Sequence, residues 1–360
     1  MILLTAKFGS SGGKLNWSNL HFICMGLIWI DDNSIRKTNA RLSLALSNGI
    51  SKADAEEGQV IVMEIHDDSS LSPIVGHASL RINRGEGGFV WRAHTVKESN
   101  PISLTLGDAV EYVDAKDFRS LRLNIIMPVV SFLVLLEYGA QPWETISWKE
   151  GTIEETTSVE DLFLQKRYWP LIDTVESISP NGINTLNAIM SRLGLLSTPQ
   201  FPPTLNLLEV MKIYPFQMLD WINQLAIGEG LSNVFQPEED SPSGPRKSIK
   251  ILQELLKRCG AEAMSKAEGD GGTPVSGYSY VSMPDNNHYR DIAFCGYFPA
   301  DKPKYGIIVW LKKEEESEDL KDKNRPELGV YAASVCKRIV EYMMGSDTKN
   351  LQTEAENQVE

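Results

Sequence analysis

The sequence has little of what usually marks a metal or redox protein. Only four cysteines occur in 360 residues, and no two of them stand in a CxxC spacing. The five histidines form no HExxH or HxH pair. These absences argue against a zinc site, a thioredoxin-like redox centre and a disulfide framework. No metal or other cofactor is therefore expected.

Positive charge is also scarce. The chain has 35 Lys and Arg residues against 48 Asp and Glu, and its formal net charge is −13. A protein of this charge is repelled by nucleic-acid phosphates and by anionic membrane surfaces. We therefore expect no nucleic-acid partner.

Long apolar runs are missing too. The longest is 125–136, which Pro128 and Ser131 interrupt, whereas a membrane-spanning helix needs about 20 residues. The run Leu20–Ile30 is also short, and no basic region precedes it, so it is not typical of a signal peptide or an anchor. The sequence predicts a soluble protein in which 125–136 is a buried helix.

Apolar residues make up 42% of the chain, enough for a full-sized core in one large domain or two smaller ones. Strand-like segments near 58–82 and 275–313 flank a helical middle, and the pattern of 330–344 predicts a final helix. Segregated strands and helices are typical of α+β proteins with antiparallel sheets. We predict a five-stranded antiparallel sheet that includes Val60–Glu64 and Ile307–Leu311 and is flanked by helices.

The domain boundaries follow from the same reading. One domain is predicted over 31–345, with a helical lobe of about 125–260 inserted between the sheet-forming parts. Residues 1–30 are a poorly defined N-terminal segment, and the polar residues 346–360 are predicted to be a disordered tail.

Several segments resemble the transpeptidase domain of class B penicillin-binding proteins. The strongest is FCGYFPADKPKY at Phe294–Tyr305, followed by GIIVWL and later by GVYAASVCKRIVEYM. Family members carry segments similar to FVGFAPADNPKYAIVV in the same order. Two weaker matches are EGQVIVMEI at Glu57–Ile65 and YPFQMLDWINQLAIGEG at Tyr214–Gly230. The resemblance implies a β-lactamase-like fold and the peptidoglycan cross-linking chemistry of that family.

That chemistry uses three motifs, and the first is SxxK, a serine nucleophile with a lysine base one helical turn later. The matching segment places Val130 at the serine position and Leu133 at the lysine position. Ser131 lies one residue away, but Val134 would then stand in place of the lysine. We expect this segment to lie near the interface of the two lobes with its apolar side chains buried, namely Ile126, Val130, Phe132, Leu133 and Leu136.

The second motif, SxN, matches Ser179-Pro180-Asn181. The same three residues are also an ordinary helix start in which Ser179 is the N-cap. Both interpretations of Ser179 and Asn181 stay open at this point.

The third motif is KTG, in which the lysine and the threonine bind the substrate carboxylate. The matching residues are Tyr278, Ser279 and Tyr280. The hydroxyl is kept at the middle position, but the cation is lost, and a bulky ring replaces the glycine.

The resemblance and the lost motif residues together predict a pseudoenzyme. Such a protein would act as a scaffold or regulator with cell-wall synthesis or cell-division proteins, outside the cytoplasmic membrane. One alternative is an active acyl-transferring enzyme whose nucleophile is displaced to Ser131 or Ser179. The other is an unrelated α+β protein whose motif matches are fortuitous.

Overall fold

A computed structural model of the protein describes much of the chain from residue 32 onward. The described residues are 32–66, 74–85, 88–96, 110–113, 120–150, 153–178, 212–213, 215–228, 247–267, 272–282, 288–314 and 325–357. The predictions for residues 1–30, for Ser179 and for Asn181 lie outside them.

The sheet-forming elements lie toward both ends of the described chain, and a helical part lies between them in sequence. The helices are α1 (Asp32–Ala53), α2 (Met127–Glu137), α3 (Val159–Leu164), α4 (Tyr168–Ile178), α5 (Pro215–Ile227), α6 (Lys247–Lys266) and α7 (Gly329–Asn357). The strands are β1 (Glu57–Glu64), β2 (Ile74–Gly85), β3 (Gly88–Val96), β4 (Val110–Val113), β5 (Leu121–Arg122), β6 (Thr145–Glu150), β7 (Ile153–Ser158), β8 (Lys212–Ile213), β9 (Ser276–Val281), β10 (Tyr289–Phe298) and β11 (Tyr305–Glu314). The elements from β5 to α6 are called the helical lobe below.

The main sheet has the strand order β4-β3-β2-β1-β11-β10-β9. Its central pair is antiparallel, with Val60 of β1 opposite Val309 of β11. The five strands from β2 to β9 are all antiparallel to their neighbours, which confirms the predicted α+β class and five-stranded sheet. Two strands extend this sheet beyond the prediction, because β3 pairs with β2 and the short β4 runs parallel to β3.

Side chains alternate between the two faces of a strand, and here each face has its own core. Val60, Val62 and Val309 pack against α1 and α7 on one face. Ile61 and Ile308 point the other way, into the core of the helical lobe. Edge strand β9 packs against α6 of the helical lobe.

Helix α2 is the apolar run of the sequence. Pro128 lies in its first turn, where a missing N–H costs nothing. Gly139 follows its end with φ of +89°, and the backbone N–H of Ala140 donates to the carbonyl of Leu135 at 3.0 Å. This is the left-handed glycine termination typical of helices. Four of the five side chains predicted to be buried are so, at 126, 130, 132 and 133, while Leu136 is half-buried.

Two parts of the fold differ from the prediction. A two-stranded hairpin, β6–β7, interrupts the helical lobe, with Ser147 opposite Thr156. The last helix continues through Asn357, where the sequence predicted a disordered tail from residue 346. Residues 346–357 contain neither Gly nor Pro, and adding a residue to an existing helix is far easier than starting one.

None of the described helices is long and apolar enough to cross a lipid bilayer.

Candidate functional site

The site predicted from the sequence begins on α2, and its side chains are apolar and buried. Val130 and Leu133, at the positions of the expected serine and lysine, have no solvent exposure. Helix α2 packs against α4 and α6 of the helical lobe. Because burying a lysine here would require an unpaired charge in an apolar core, leucine suits the surroundings that the fold gives it.

Ser131 is also fully buried. Its hydroxyl has no hydrogen-bond partner among the described residues. A serine becomes a nucleophile when a base lies within hydrogen-bond reach of its hydroxyl. In the described part of the chain no side chain takes that place beside Ser131.

Tyr278, at the position of the KTG lysine, lies on β9 with its ring turned toward the helical lobe. The side chain is buried, and its hydroxyl donates to the backbone carbonyl of Ile125 at 2.6 Å. The ring centroid of Tyr278 lies 6.2 Å from that of Phe163 on α3. Phe163 in turn packs on Phe132 of α2 at 5.3 Å between centroids. Three aromatic rings thus fill the space between β9 and α2.

The other two residues of this motif point in different directions. Tyr280 is buried on the same face as Tyr278. Ser279 faces the opposite side, where a side chain built on Gly329 at the start of α7 would lie 2.9 Å from the Ser279 Cβ. The structure therefore separates Ser279 from Val130 and brings Tyr278 toward α2.

A thiol also lies on this face. Cys295 of β10 is the register partner of Tyr278, and its Sγ lies 3.9 Å from the Sδ of Met218. Burial raises the pKa of the Cys295 thiol to about 12, with a smaller opposing effect from the hydrogen bond to Tyr278. Since the thiolate is the reactive form, Cys295 is inert at neutral pH.

Sequence reasoning missed an ion pair just before α2. The Arg122 guanidinium donates to the carboxylate of Asp291 on β10. Asp291 also accepts from the indole N–H of Trp310 at 3.0 Å. Arg122 reaches the hydroxyl of Ser282 at 3.2 Å as well. The signal in the sequence was the charge of Arg122 between Leu121 and Leu123, which requires a partner once these neighbours are buried.

A metal site is not evident in this region. Among the described residues, no group of three or more His, Cys, Asp or Glu side chains is arranged to hold a metal ion.

Comparison of the whole structure with known proteins identifies its architecture. It matches the transpeptidase domain of FtsI4 D,D-transpeptidase from Legionella pneumophila with a TM-score of 0.54 and 14% identity, over 84% of this chain and 94% of that one. The chain has the fold of a penicillin-binding protein transpeptidase domain. A peptidoglycan synthetase from Bifidobacterium adolescentis is also similar, with a TM-score of 0.56 and 13% identity over 87% of this chain. This chain matches 60% of that protein's length.

The chain is similar to these proteins in structure and not in overall sequence. No family model matches the chain, and no curated protein matches it. The positions that the sequence analysis matched to SxxK and KTG lie on α2 and β9. The aromatic cluster of Phe132, Phe163 and Tyr278 therefore lies between these two motif positions.

Proposed function

We propose that this protein is a catalytically inactive transpeptidase-like module that acts as a scaffold or regulator in peptidoglycan synthesis. The observation that supports the proposal is the packing of buried side chains without reactive groups at the positions that the sequence matches to the catalytic motifs. Val130 and Leu133 are fully buried in the helical lobe. Tyr278 uses its hydroxyl to bind the Ile125 carbonyl.

Acyl transfer by an enzyme of this kind needs an activated hydroxyl, a base within hydrogen-bond reach, and a cation for the substrate carboxylate. Valine has no nucleophilic atom, and leucine cannot accept a proton. A tyrosine ring in place of the lysine supplies no positive charge. All three requirements would have to be met by other residues, which supports a non-catalytic role.

The scaffold role and the location come from the likeness to enzymes of peptidoglycan synthesis. We infer that the protein works at the outer side of the cytoplasmic membrane in cell division or elongation. Its partners would then be other cell-wall synthesis or division proteins. Binding of the purified protein to a purified, active transpeptidase of the same organism, followed by fluorescence anisotropy, tests this part. We expect saturable binding, with the bound transpeptidase still able to turn over its substrate. Absence of binding to any such protein contradicts the proposal.

The catalytic part is tested with a fluorescent penicillin and a denaturing gel. We expect no labelled band from the full chain at a concentration that labels an active penicillin-binding protein completely. A stoichiometric band would contradict the proposal. The variants Ser131→Ala and Ser179→Ala then identify the nucleophile of the alternative, an active enzyme with a displaced serine. Ser147→Ala, which changes an exposed serine of the β6–β7 hairpin, is the matched control.

A further inference from the structure

The segment that precedes α2 is short and tightly built. It consists of β5 and the single 3₁₀ turn Leu123–Ile125, and α2 begins two residues later at Met127. The backbone N–H of Ile126 closes this turn by donating to the carbonyl of Leu123 at 3.0 Å. The first turn of α2 therefore follows directly on the segment 122–126.

The first attachment of this segment to the sheet is the hydrogen bond from Tyr278 to Ile125. The first N–H groups of α2 donate to the carbonyl of Ile126 and not to that of Ile125. The Ile125 carbonyl is buried, and a buried carbonyl needs a donor. Tyr278 provides it from β9 at 2.6 Å, while its ring is held by Phe163.

The second attachment is the ion pair between Arg122 and Asp291. Only 18% of the Arg122 side chain and 6% of the Asp291 side chain are exposed, so water screens this pair weakly. Ser282 supports both partners, since its hydroxyl accepts from the Asp291 backbone N–H at 2.9 Å and from Arg122 at 3.2 Å. Removal of one member of a buried pair leaves the other charge unpaired, which is strongly unfavourable.

These two attachments hold both ends of one four-residue segment to neighbouring strands at the edge of the sheet. We propose that Arg122, Ile125, Tyr278 and Asp291 form an interlobe clasp, which fixes the start of α2 to β9 and β10 and keeps the two lobes closed on each other. The residue at the KTG lysine position thus has a mechanical role. This inference concerns the same place as the proposed function but makes no assumption about catalysis.

The clasp is tested by amide hydrogen exchange of the full chain with Tyr278→Phe, which keeps the ring and removes only the hydroxyl. The loss of one buried hydrogen bond should speed exchange of the amides in 121–130 about tenfold. Exchange in α7, on the other face of the sheet, should stay unchanged. The matched control is Tyr297→Phe, which removes another buried tyrosine hydroxyl on the same face of the sheet. Unchanged exchange in 121–130, or an equal increase in the control, would overturn the proposal.

A second variant separates the hydroxyl from the ring. Tyr278→Ala should leave an apolar cavity beside Phe163, into which phenol can bind and again donate to the Ile125 carbonyl. We expect millimolar phenol to restore slow exchange in 121–130, and benzene to restore much less. Equal rescue by benzene, or no rescue by phenol, would contradict the role of the hydroxyl. Because the readout is exchange and not labelling, a penicillin adduct would overturn the proposed function while leaving the clasp as it is.

Discussion

Both faces of the sheet bury polar groups, and their hydrogen-bond partners differ. On the side of α1 and α7, Lys337 is only 8% exposed, yet its ammonium donates to the carbonyls of Met264 and Ala267 at the end of α6. Asn39 on α1 accepts the backbone N–H of His77 at 2.8 Å. On the side of the helical lobe, the side-chain polar atoms of Ser131 and Asn223 have no hydrogen-bond partner among the described residues.

This difference shows what buried polarity means in this protein. On the α1 and α7 face, each polar group just named fits into a hydrogen bond that stabilises the fold. On the helical-lobe face Tyr278 is hydrogen-bonded as well, whereas Ser131 and Asn223 bury polar atoms without described partners, at a cost of about 1–3 kcal/mol each. A buried polar residue is therefore not by itself the sign of an active site. Its hydrogen-bond partners show whether it stabilises the fold.

We expect the largest effect on stability from a lysine introduced on the helical-lobe face. Leu133→Lys should lower the free energy of unfolding by about 5 kcal/mol at pH 7, because a buried lysine without acceptors has its pKa lowered by about 3–5 units. The folded-state pKa then lies below that of the unfolded chain. The loss should be greatest at low pH and should shrink as the pH rises toward about 10.4, the pKa in the unfolded chain.

Urea unfolding at several pH values measures the Leu133→Lys effect, and Leu133→Met is the uncharged control. A loss that does not depend on pH would mean that the ammonium finds acceptors, as that of Lys337 does.

The next effect concerns α6, whose residues contribute to the cores on both faces of the sheet. Its first half packs with the helical lobe, and Ala263 and Ala267 pack with α7. Between them, a Cβ added to Gly260 would lie 2.1 Å from the backbone carbonyl oxygen of Val275. Gly260→Ala should therefore cost about 3 kcal/mol, because backbone must shift to accept it.

Gly345→Ala is the matched control, since Gly345 also lies in a helix but has no atom within 4 Å of the added Cβ. There alanine should add about 0.8 kcal/mol of stability through its helix propensity. Chemical denaturation of both variants checks the two signs. An equal effect at the two sites would show that α6 does not approach β9 this closely.

A smaller loss is expected on the α1 and α7 face. Asn39→Ala removes the acceptor of the His77 N–H and leaves a buried donor, at a cost of about 1.5 kcal/mol. Lys37→Ala changes an exposed residue of the same helix and should be almost neutral. Thermal unfolding of both variants measures the difference. Equal melting temperatures would show that the hydrogen bond of Asn39 does not stabilise the fold.

The smallest effect has the opposite sign. Ser131→Ala removes a fully buried hydroxyl that has no described partner, so it should leave the stability unchanged or raise it by up to about 1 kcal/mol. The same denaturation experiment measures it. A loss as large as that of Asn39→Ala would reveal a partner for Ser131 and weaken the contrast between the two faces.

Much of the fold could be predicted from local sequence. The β-branched run of β1 and the apolar run of α2 are visible as patterns, and Gly139 ends α2 as its sequence position suggests. The β6–β7 hairpin was not predicted, because its strands are short and rich in Thr, Ser and Glu, which gives little apolar alternation. The pairing of β4 with β3 is likewise invisible, since strand pairing depends on contacts between distant segments.

The sequence by itself determined which atoms are present at the motif positions, because that is a property of single residues. Val130 has no hydroxyl and Leu133 no amine, whatever the fold. Only the tertiary structure decided what Tyr278 does, since the carbonyl that it binds lies 153 residues away in the chain. It also decided that Ser279 faces α7, because strand alternation sends neighbouring side chains to opposite faces of a sheet whose two cores form only when distant segments pack.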